Sequence, residues 1–473
     1  MTSTDRSPTS PQLAPDRFDP TTVTAFRYLS RHLDLGTGEA VLRYALDELE
    51  FTERFTFPVP LGELPAELMP SRVAVMERLL DHLWLVAGLS YFKMAAPPLI
   101  RIEAGHFHRL DIEFHQLLLR RGLGEFCFVN GLDPELSPTY EFHGLDESPA
   151  PITSLPLDLG PLVPVGGGKD SCVSIEGLRA AGFQPTLVTV RRFPIIADVI
   201  EASGLPDLSV ERVLDPMVAQ LNARGALNGH VPATAIVSFA ALIVAAWHGF
   251  DAVVMSNERS ASEGNALYRG VEINHQWSKS DEAESAIRAT VARISPELGW
   301  FSILRPLSEL HISQLFARHC SRYFTTFSSC NRSQVMDSRQ RVARWCRRCP
   351  KCQFVYLALA ASMPRLQLEV IFGEDLFSTS AIDGFRSLLG LSSWKPFECV
   401  GESGECRVAL SILNDSVEWA KHPLLGQLVH EVRAAGLWPT ATEVAEVYRA
   451  HSSSSVPQNY VPIVDSFGVD APG

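Results

Sequence analysis

The spacing of apolar residues changes character along this chain, and the changes divide it. From residue 162 onward, short apolar runs alternate with stretches of helical spacing. LVPV at 162–165 is followed by DSCVSIEGLRAAG, whose apolar positions keep a helical period until Gly182, then by TLVTV at 186–190, a long helical run from about Ala233, and DAVVMS at 251–256. Strand, helix, strand in this order predicts a parallel sheet with crossover helices, an α/β fold. Before it, residues 20–155 predict an N-terminal substrate or accessory domain of α+β type. It opens mainly helical, with amphipathic segments at 41–50 and 72–91, and continues with strand-like runs at 99–103 and 126–129. A Pro-rich linker at 148–161 closes that region. The sheet-forming region spans 156–325, a cysteine-containing helical region spans 326–452, residues 1–19 read as a disordered leader, and residues 453–473 read as a mobile tail.

Composition narrows the classes of function. A chain of 473 residues with 46% apolar residues can bury a large core and suggests two or three domains. A net charge of −13 argues against a nucleic-acid partner, since the one short basic run lies at 339–348. The N-terminus lacks the apolar stretch of a signal peptide, and the longest apolar run, 235–247, is too short to span a bilayer, so it is expected to be a buried helix ending near Gly249. No membrane partner and a cytoplasmic location are therefore expected. Nine cysteines in such a chain should stay reduced, and their close spacings point to metal binding or catalysis before disulfides.

The string VGGGKDS at 165–171 carries the first chemistry. Gly166, Gly167 and Gly168 let the backbone wrap an anion at a helix N-terminus, Lys169 adds a positive charge, and Ser171 adds a hydroxyl donor. A phosphate loop of the G-x-x-x-x-G-K-[ST] type cannot be drawn through these residues, because Asp170 follows Lys169. An ordinary Gly-rich strand-to-helix turn is the plainer alternative. Ligands of parallel sheets sit beyond the carboxyl ends of the strands, so Thr189, Val190, Ser256 and Asn257 should meet the same nucleotide. The string resembles the S-G-G-x-D-S pyrophosphate loop of the ATP pyrophosphatase superfamily, with Gly166 standing where that superfamily usually has Ser.

After the third strand runs SNERSASEGNALYRGVEINHQWSKS, residues 256–280, which is either a long solvated loop or a lining for the nucleotide site. Together with GGGKDS and the upstream LSYFKMAAP at 89–97, it resembles the MurL-type epimerases, and the likeness extends over most of the chain. The resemblance implies an ATP-dependent isomerase of peptidoglycan precursor synthesis. Its substrate would be UDP-N-acetylmuramoyl-L-Ala-L-Glu, whose terminal L-Glu becomes D-Glu through an acyl adenylate, with release of AMP and PPi. On this reading Asp170 orients Mg²⁺, while Lys169 and Ser171 hold the leaving pyrophosphate. Inversion through a planar intermediate favours an acid/base group on each face, and His275, Glu258 and Lys279 are the candidates. A hydrogen-bonding or surface role for His275 stays open, as does an inert, packed role for Cys172.

Cys330, Cys346, Cys349 and Cys352 follow the spacing C-x₁₅-C-x₂-C-x₂-C, which suits a tetrahedral structural Zn²⁺. The pattern resembles the four-cysteine site of the 7-cyano-7-deazaguanine synthases, with a longer first interval. An iron–sulfur cluster or unligated thiols are the alternatives, and Cys399 and Cys406 are possible substitutes for Cys330. His106, His108 and His115 read as an amphipathic surface feature. Two other functions share the loop: an adenylating carbon–nitrogen ligase or nitrile synthase, and a non-catalytic ATP-binding regulator.

Overall fold

The computed structural model describes residues 17–60, 67–146, 152–335, 339–392, 395–451 and 455–467. Its fourteen strands are β1 (Ala25–Leu33), β2 (Glu39–Leu46), β3 (Leu49–Thr56), β4 (Leu99–Ile102), β5 (Phe107–His108), β6 (Thr139–Phe142), β7 (Leu145–Asp146), β8 (Pro161–Pro164), β9 (Thr186–Val190), β10 (Asp207–Val213), β11 (Ala252–Met255), β12 (Ala266–Tyr268), β13 (Val271–Ile273) and β14 (Gly299–Ser302). Ten of them form one sheet in the order β14-β11-β8-β9-β10-β3-β2-β1-β4-β6. The β14-to-β10 side is parallel throughout, as the alternating pattern predicts. The N-terminal side adds an antiparallel meander, β1-β2-β3, extended by the parallel strands β4 and β6. Antiparallel pairing of β10 with β3, Glu211 opposite Thr56, makes the two sides one sheet.

From β8 the chain steps outward through β9 to β10, then returns to place β11 and β14 on the other side of β8. The strand order reverses there, which opens a crevice at the carboxyl end of β8. Residues 166–168 fill it. One core cluster packs the meander against the Met69–Phe92 and Ala233–His248 helices. The other packs the Lys169–Ala180 helix with Glu309–His319 and the C-terminal helices. The 233–248 helix ends at Gly249, whose φ of 98° is the left-handed geometry that stops a helix. No helix among the described residues is long and apolar enough to cross a membrane.

Three segments depart from the sequence reading. Residues 41–50, expected as helix, form β2 and β3 around a two-residue turn, with Leu46 opposite Leu49. Asp47 takes a φ of 49°, and its carboxylate accepts from the Thr24 and Ala25 N–H groups, so the turn is secured by tertiary hydrogen bonds rather than by glycine. Residues 126–129, expected as strand, lie in the Gly124–Asn130 helix, because a four-residue apolar run does not reveal its own period. Part of the expected tail, residues 455–467, packs onto the body: Tyr460 and Phe467 are buried, and His311 Nε2 lies 2.9 Å from the Phe467 carbonyl oxygen. Residues 1–16 of the expected leader, 148–151 of the Pro-rich linker, and 453–454 and 468–473 of the expected tail lie outside the described residues.

Candidate functional site

The glycine loop leaves β8 in register with its neighbour, the Val165 N–H donating to the Val188 carbonyl at 2.9 Å. Gly167 has a φ of 78°, and an added Cβ would lie 3.3 Å from the Ile195 carbonyl oxygen, so glycine is required there for both conformation and space. The loop carbonyls are held from behind: the Ser328 N–H donates to Gly167 at 2.9 Å and Gln334 Nε2 to Gly166 at 2.6 Å. The Lys169–Ala180 helix begins without a side-chain cap. Its first-turn N–H groups are thus available to an anion.

Lys169 corrects the expectation of an exposed cation aimed at pyrophosphate. It is wholly buried, its ammonium 2.5 Å from Asp170 Oδ1 and paired with Glu309 as well. Burial opposes its charge, but the two carboxylates outweigh burial and raise its pKa. The Ser171 hydroxyl, expected on phosphate, donates to the Gly168 carbonyl at 3.1 Å and so braces the loop. Cys172 is packed and inert, burial pushing its thiol well up.

Glu309, absent from the sequence reading, stands at the centre of the charged cluster. Burial raises its carboxyl, yet Lys169 and Lys351, whose Nζ is 3.3 Å away, hold it at about 2. Carboxylate oxygens of Asp170, Glu258 and Glu309 lie within 4.8 Å of one another, so the trio could hold a metal ion. Glu258 is buried, its pKa raised by that burial, and its Oε2 lacks a hydrogen-bond partner. Lys279 stays charged because Cys399, Glu258, Asp170 and Glu309 surround it. Buried Arg305 sets the spacing, donating to the Glu258 carbonyl and the Lys279 carbonyl, each at 2.5 Å. A second carboxyl chain supports Glu309 from below, where Glu405 accepts from Ser260 and from the Leu310 N–H at 2.7 Å.

The two ends of residues 256–280 form no solvated loop, while the β12–β13 hairpin between them is largely exposed. Asn257, Glu258, Ser260, Asn265, Gln276, Ser278 and Ser280 are all buried. Ser256 Oγ pairs with Ser174 Oγ at 2.8 Å. At the carboxyl ends of β9 and β11, Thr189 Oγ1 and Asn257 Nδ2 are buried without hydrogen-bond partners, like Glu258 Oε2. Unpaired buried polar atoms are costly, and these three, at the carboxyl ends of adjacent parts of the sheet, fit a polar ligand. Val190, next to Thr189, is half-buried at the end of β9.

His275 lies toward the N-terminal side of this segment. Its Nδ1 pairs with Glu125, its ring centroid is 4.4 Å from that of His230, and the Cys399 thiol acts on it electrostatically. Desolvation opposes charging of this imidazole, but Cys399 and Glu125 outweigh it and raise it to about 9. Desolvation likewise raises Cys399, and Lys279 and His275 reverse that, bringing the thiol to about 7. Asn265 joins the two segments: its Oδ1 accepts from the His275 N–H at 2.7 Å, and its Nδ2 donates to the Pro396 carbonyl at 2.7 Å. Glu125, Asn228, Gly229, His230 and His275 line an open cleft. Lys93, within the LSYFKMAAP string, borders it and bonds Asn228 at 2.8 Å and the Gly229 carbonyl at 2.6 Å.

The four cysteines converge as their spacing predicts. Sγ separations are 4.0 Å for Cys330–Cys349, 3.8 Å for Cys346–Cys352 and 3.5 Å for Cys349–Cys352. Four thiolates at about 2.3 Å from one ion in tetrahedral geometry lie about 3.8 Å apart, so the set could hold a metal such as zinc. N–H groups of Cys349 and Cys352 point at the sulfurs of Cys346 and Cys349, each at 3.4 Å. The cluster also braces the charged site. Cys330 directly follows Ser328 and Ser329 behind the glycine loop, and Lys351, between Cys349 and Cys352, reaches Glu309. Neither proposed substitute joins it, since Cys399 faces His275 and Cys406 is buried in the Ser403–Asp415 helix. The histidine reading is corrected at His115, which is buried between the hydroxyls of Tyr28 and Tyr140 at 2.9 and 2.7 Å. His106 is exposed.

Glu309 and Glu125 escaped the sequence reading because neither belongs to a recognisable string. Lys351 lies inside the cysteine string and Cys399 reads only as a substitute for Cys330, so the sequence assigns neither to the charged site. Comparison with known proteins matches residues 17–303 to the MurL N-terminal domain and residues 326–443 to the MurL C-terminal domain. A UDP-N-acetyl-alpha-D-muramoyl-L-alanyl-L-glutamate epimerase of Micromonospora sp. is 42% identical over 442 residues, 92% of this chain and 96% of the relative. Its namesake from Salinispora tropica is 41% identical over 448 residues, covering 93% and 96%. That of Xanthomonas oryzae pv. oryzae is 39% identical over 419 residues, covering 88% and 91%.

Proposed function

The chain belongs to the MurL epimerase family, and from that premise we propose that it inverts the terminal glutamate of UDP-N-acetylmuramoyl-L-Ala-L-Glu after adenylating it with ATP. The observation that carries this reading is the meeting, at one sheet switch point, of an anion-ready glycine loop with a buried cluster of carboxylates and lysines. A carboxylate resists loss of its α-proton because the carbanion would add negative charge beside it. Transfer of AMP to the carboxylate removes that charge, and pyrophosphate leaves toward residues 166–171.

Asp170, Glu258 and Glu309 would hold Mg²⁺, and the unpaired Glu258 Oε2 supports that role. Bound there, the ion would offset charge developing on the phosphates. Lys169 and Lys351 keep Glu309 ionised, and Lys279 faces Glu258 across the same space. Thr189 Oγ1 and Asn257 Nδ2 supply free polar atoms for the nucleotide, with Val190 and Ser256 beside them. His275, Glu258 and Lys279 remain the acid/base candidates drawn from the polar segment. Zn²⁺ is the ion best suited to the four thiols, as a brace rather than a reactant. All nine cysteines are free, which supports a reducing, cytoplasmic setting. Family membership does not favour the ligase, nitrile-synthase or regulator alternatives.

The test is exchange in D₂O. With enzyme, Mg²⁺ and ATP, the muramoyl dipeptide should yield AMP, PPi and D-Glu carrying deuterium at the α-carbon. Inversion that needs no ATP would contradict adenylation, and ATP cleavage without change at the α-carbon would move the protein to the ligase class.

A further inference from the structure

The strongest unexplained group in the site is a thiol. Cys399 lies at a turn in which the Val400 N–H donates back to the Glu398 carbonyl at 2.8 Å, and the segment around it is fixed at several points. Glu398 Oε2 accepts from the Lys351 N–H at 2.8 Å, the Lys395 N–H donates to the Asn265 carbonyl at 3.2 Å, and Asn265 Nδ2 holds Pro396. Gly401 is also enforced, since an added Cβ would fall 2.7 Å from the Phe354 ring and 3.1 Å from Glu309 Cβ. So much anchoring of a short segment without helix or strand fixes the position of whatever it presents. It presents a half-buried thiol between Pro396, tied through Asn265 to the His275 N–H, and Gly401, which packs beside Glu309, so that the charges of His275 and Lys279 act on the sulfur and Lys279 in turn acts with the carboxylates of Asp170, Glu258 and Glu309.

We infer that Cys399 is the catalytic acid/base on one face of the glutamate α-carbon, with His275 and Lys279 as its positioning residues. The inference rests on the adenylation–epimerisation reading and names a group that reading leaves open. Charges facing the thiol are those of Lys279, His275 and Lys351, and behind His275 stand Glu125 and His230. Their combined effect keeps the sulfur ionised near neutrality, as a proton acceptor requires. Cys172, Cys320 and Cys406 face no such set of cations, and burial drives their thiols up.

In the step itself the Cα–H bond of the acyl adenylate breaks, an S–H bond forms on Cys399, and the electron pair moves onto the acyl oxygen. The pair then returns to Cα, which takes a proton from water on the opposite face. The hydroxide left by that transfer attacks the acyl carbon and cleaves the acyl–phosphate bond, releasing the carboxylate and AMP, and the Cys399 thiol gives its proton back to solvent. In the reverse sense the Cys399 thiol donates instead of accepting.

The experiment compares wild type with Cys399→Ala and Cys399→Ser, each as the full chain with Mg²⁺, ATP and the muramoyl dipeptide in D₂O. AMP release in both variants should stay within about threefold of wild type, while deuterium uptake and D-Glu fall about 10²–10⁴-fold, the usual weight of a general acid/base. In wild type, carbamidomethylation of Cys399 by iodoacetamide, read on its own peptide, should be half-maximal near pH 7 and blocked by substrate. Variants that invert at the wild-type rate, variants that lose AMP release and inversion together, or a thiol that reacts only in the range of an ordinary cysteine would each overturn the assignment. A wild-type protein that neither adenylates nor inverts would overturn the underlying reading instead, and the two failures are told apart by the wild-type arm alone.

Discussion

The two ends of the site are built differently. At the glycine loop, consecutive residues supply the turn, the helix start and two of the charges, and nearly every charged group is already matched: Lys169 with Asp170 and Glu309, and Glu309 with Lys351. At the other end, His275, Glu125 and His230 line an open cleft from three separate segments, and Cys399 acts on His275 from a fourth. The first arrangement is rigid and full of opposite charge, which suits binding of a polyanion and an ion. The second sets a thiol lowered to about 7 against an imidazole raised to about 9, which suits moving a proton. The comparison teaches that the two half-reactions, activation and inversion, should be separable by mutation.

The largest effects should come from the glycine-loop end. Lys169→Ala leaves buried Glu309 and half-buried Asp170 with less counter-charge, and Asp170→Ala removes a candidate metal ligand; each should cut AMP release by at least about 10³-fold, measured as PPi. Wild-type rates in either variant would break the comparison at its better-defined end. Removing the brace comes next. Purified protein should carry close to one equivalent of zinc by metal analysis, and Cys349→Ser should lose it, fall in thermal stability and release AMP poorly, since Ser328 and Lys351 would shift.

His275→Ala should leave AMP release near the wild-type rate and lower inversion about 10²-fold or more. An equal loss in both half-reactions would mean the two ends act as one. The pH profile sharpens the distinction. The Cys399 pKa is lowered to about 7, so the thiolate gains population as pH rises through 7. His275 is raised to about 9, so its charge is lost as pH rises through 9. Inversion should therefore climb through pH 7 and fall beyond 9, a bell that AMP release lacks. The smallest effect is expected from Asn265→Ala, which frees His275 and Pro396 without removing a titrating group. Inversion should drop about tenfold, with AMP release unchanged.

The sequence alone determined the parts whose physics is local. Gly166 to Ser171 read as a phosphate loop because glycine conformation and a helix start are set within a few residues. The run at 233–248 read as a buried helix because its period and its terminal Gly249 are internal to it, and the four cysteines read as a metal set because three of them share one turn and one helix start. Tertiary structure decided the rest. It made residues 41–50 a hairpin through Thr24 and Ala25, converted Lys169 from an apparent phosphate hand into the counter-ion of Glu309, and carried Cys399 to His275 across more than a hundred residues of chain. Charge state and reactivity depend on what stands within a few ångströms in space. No spacing along the chain records that when the neighbours lie on different strands and loops.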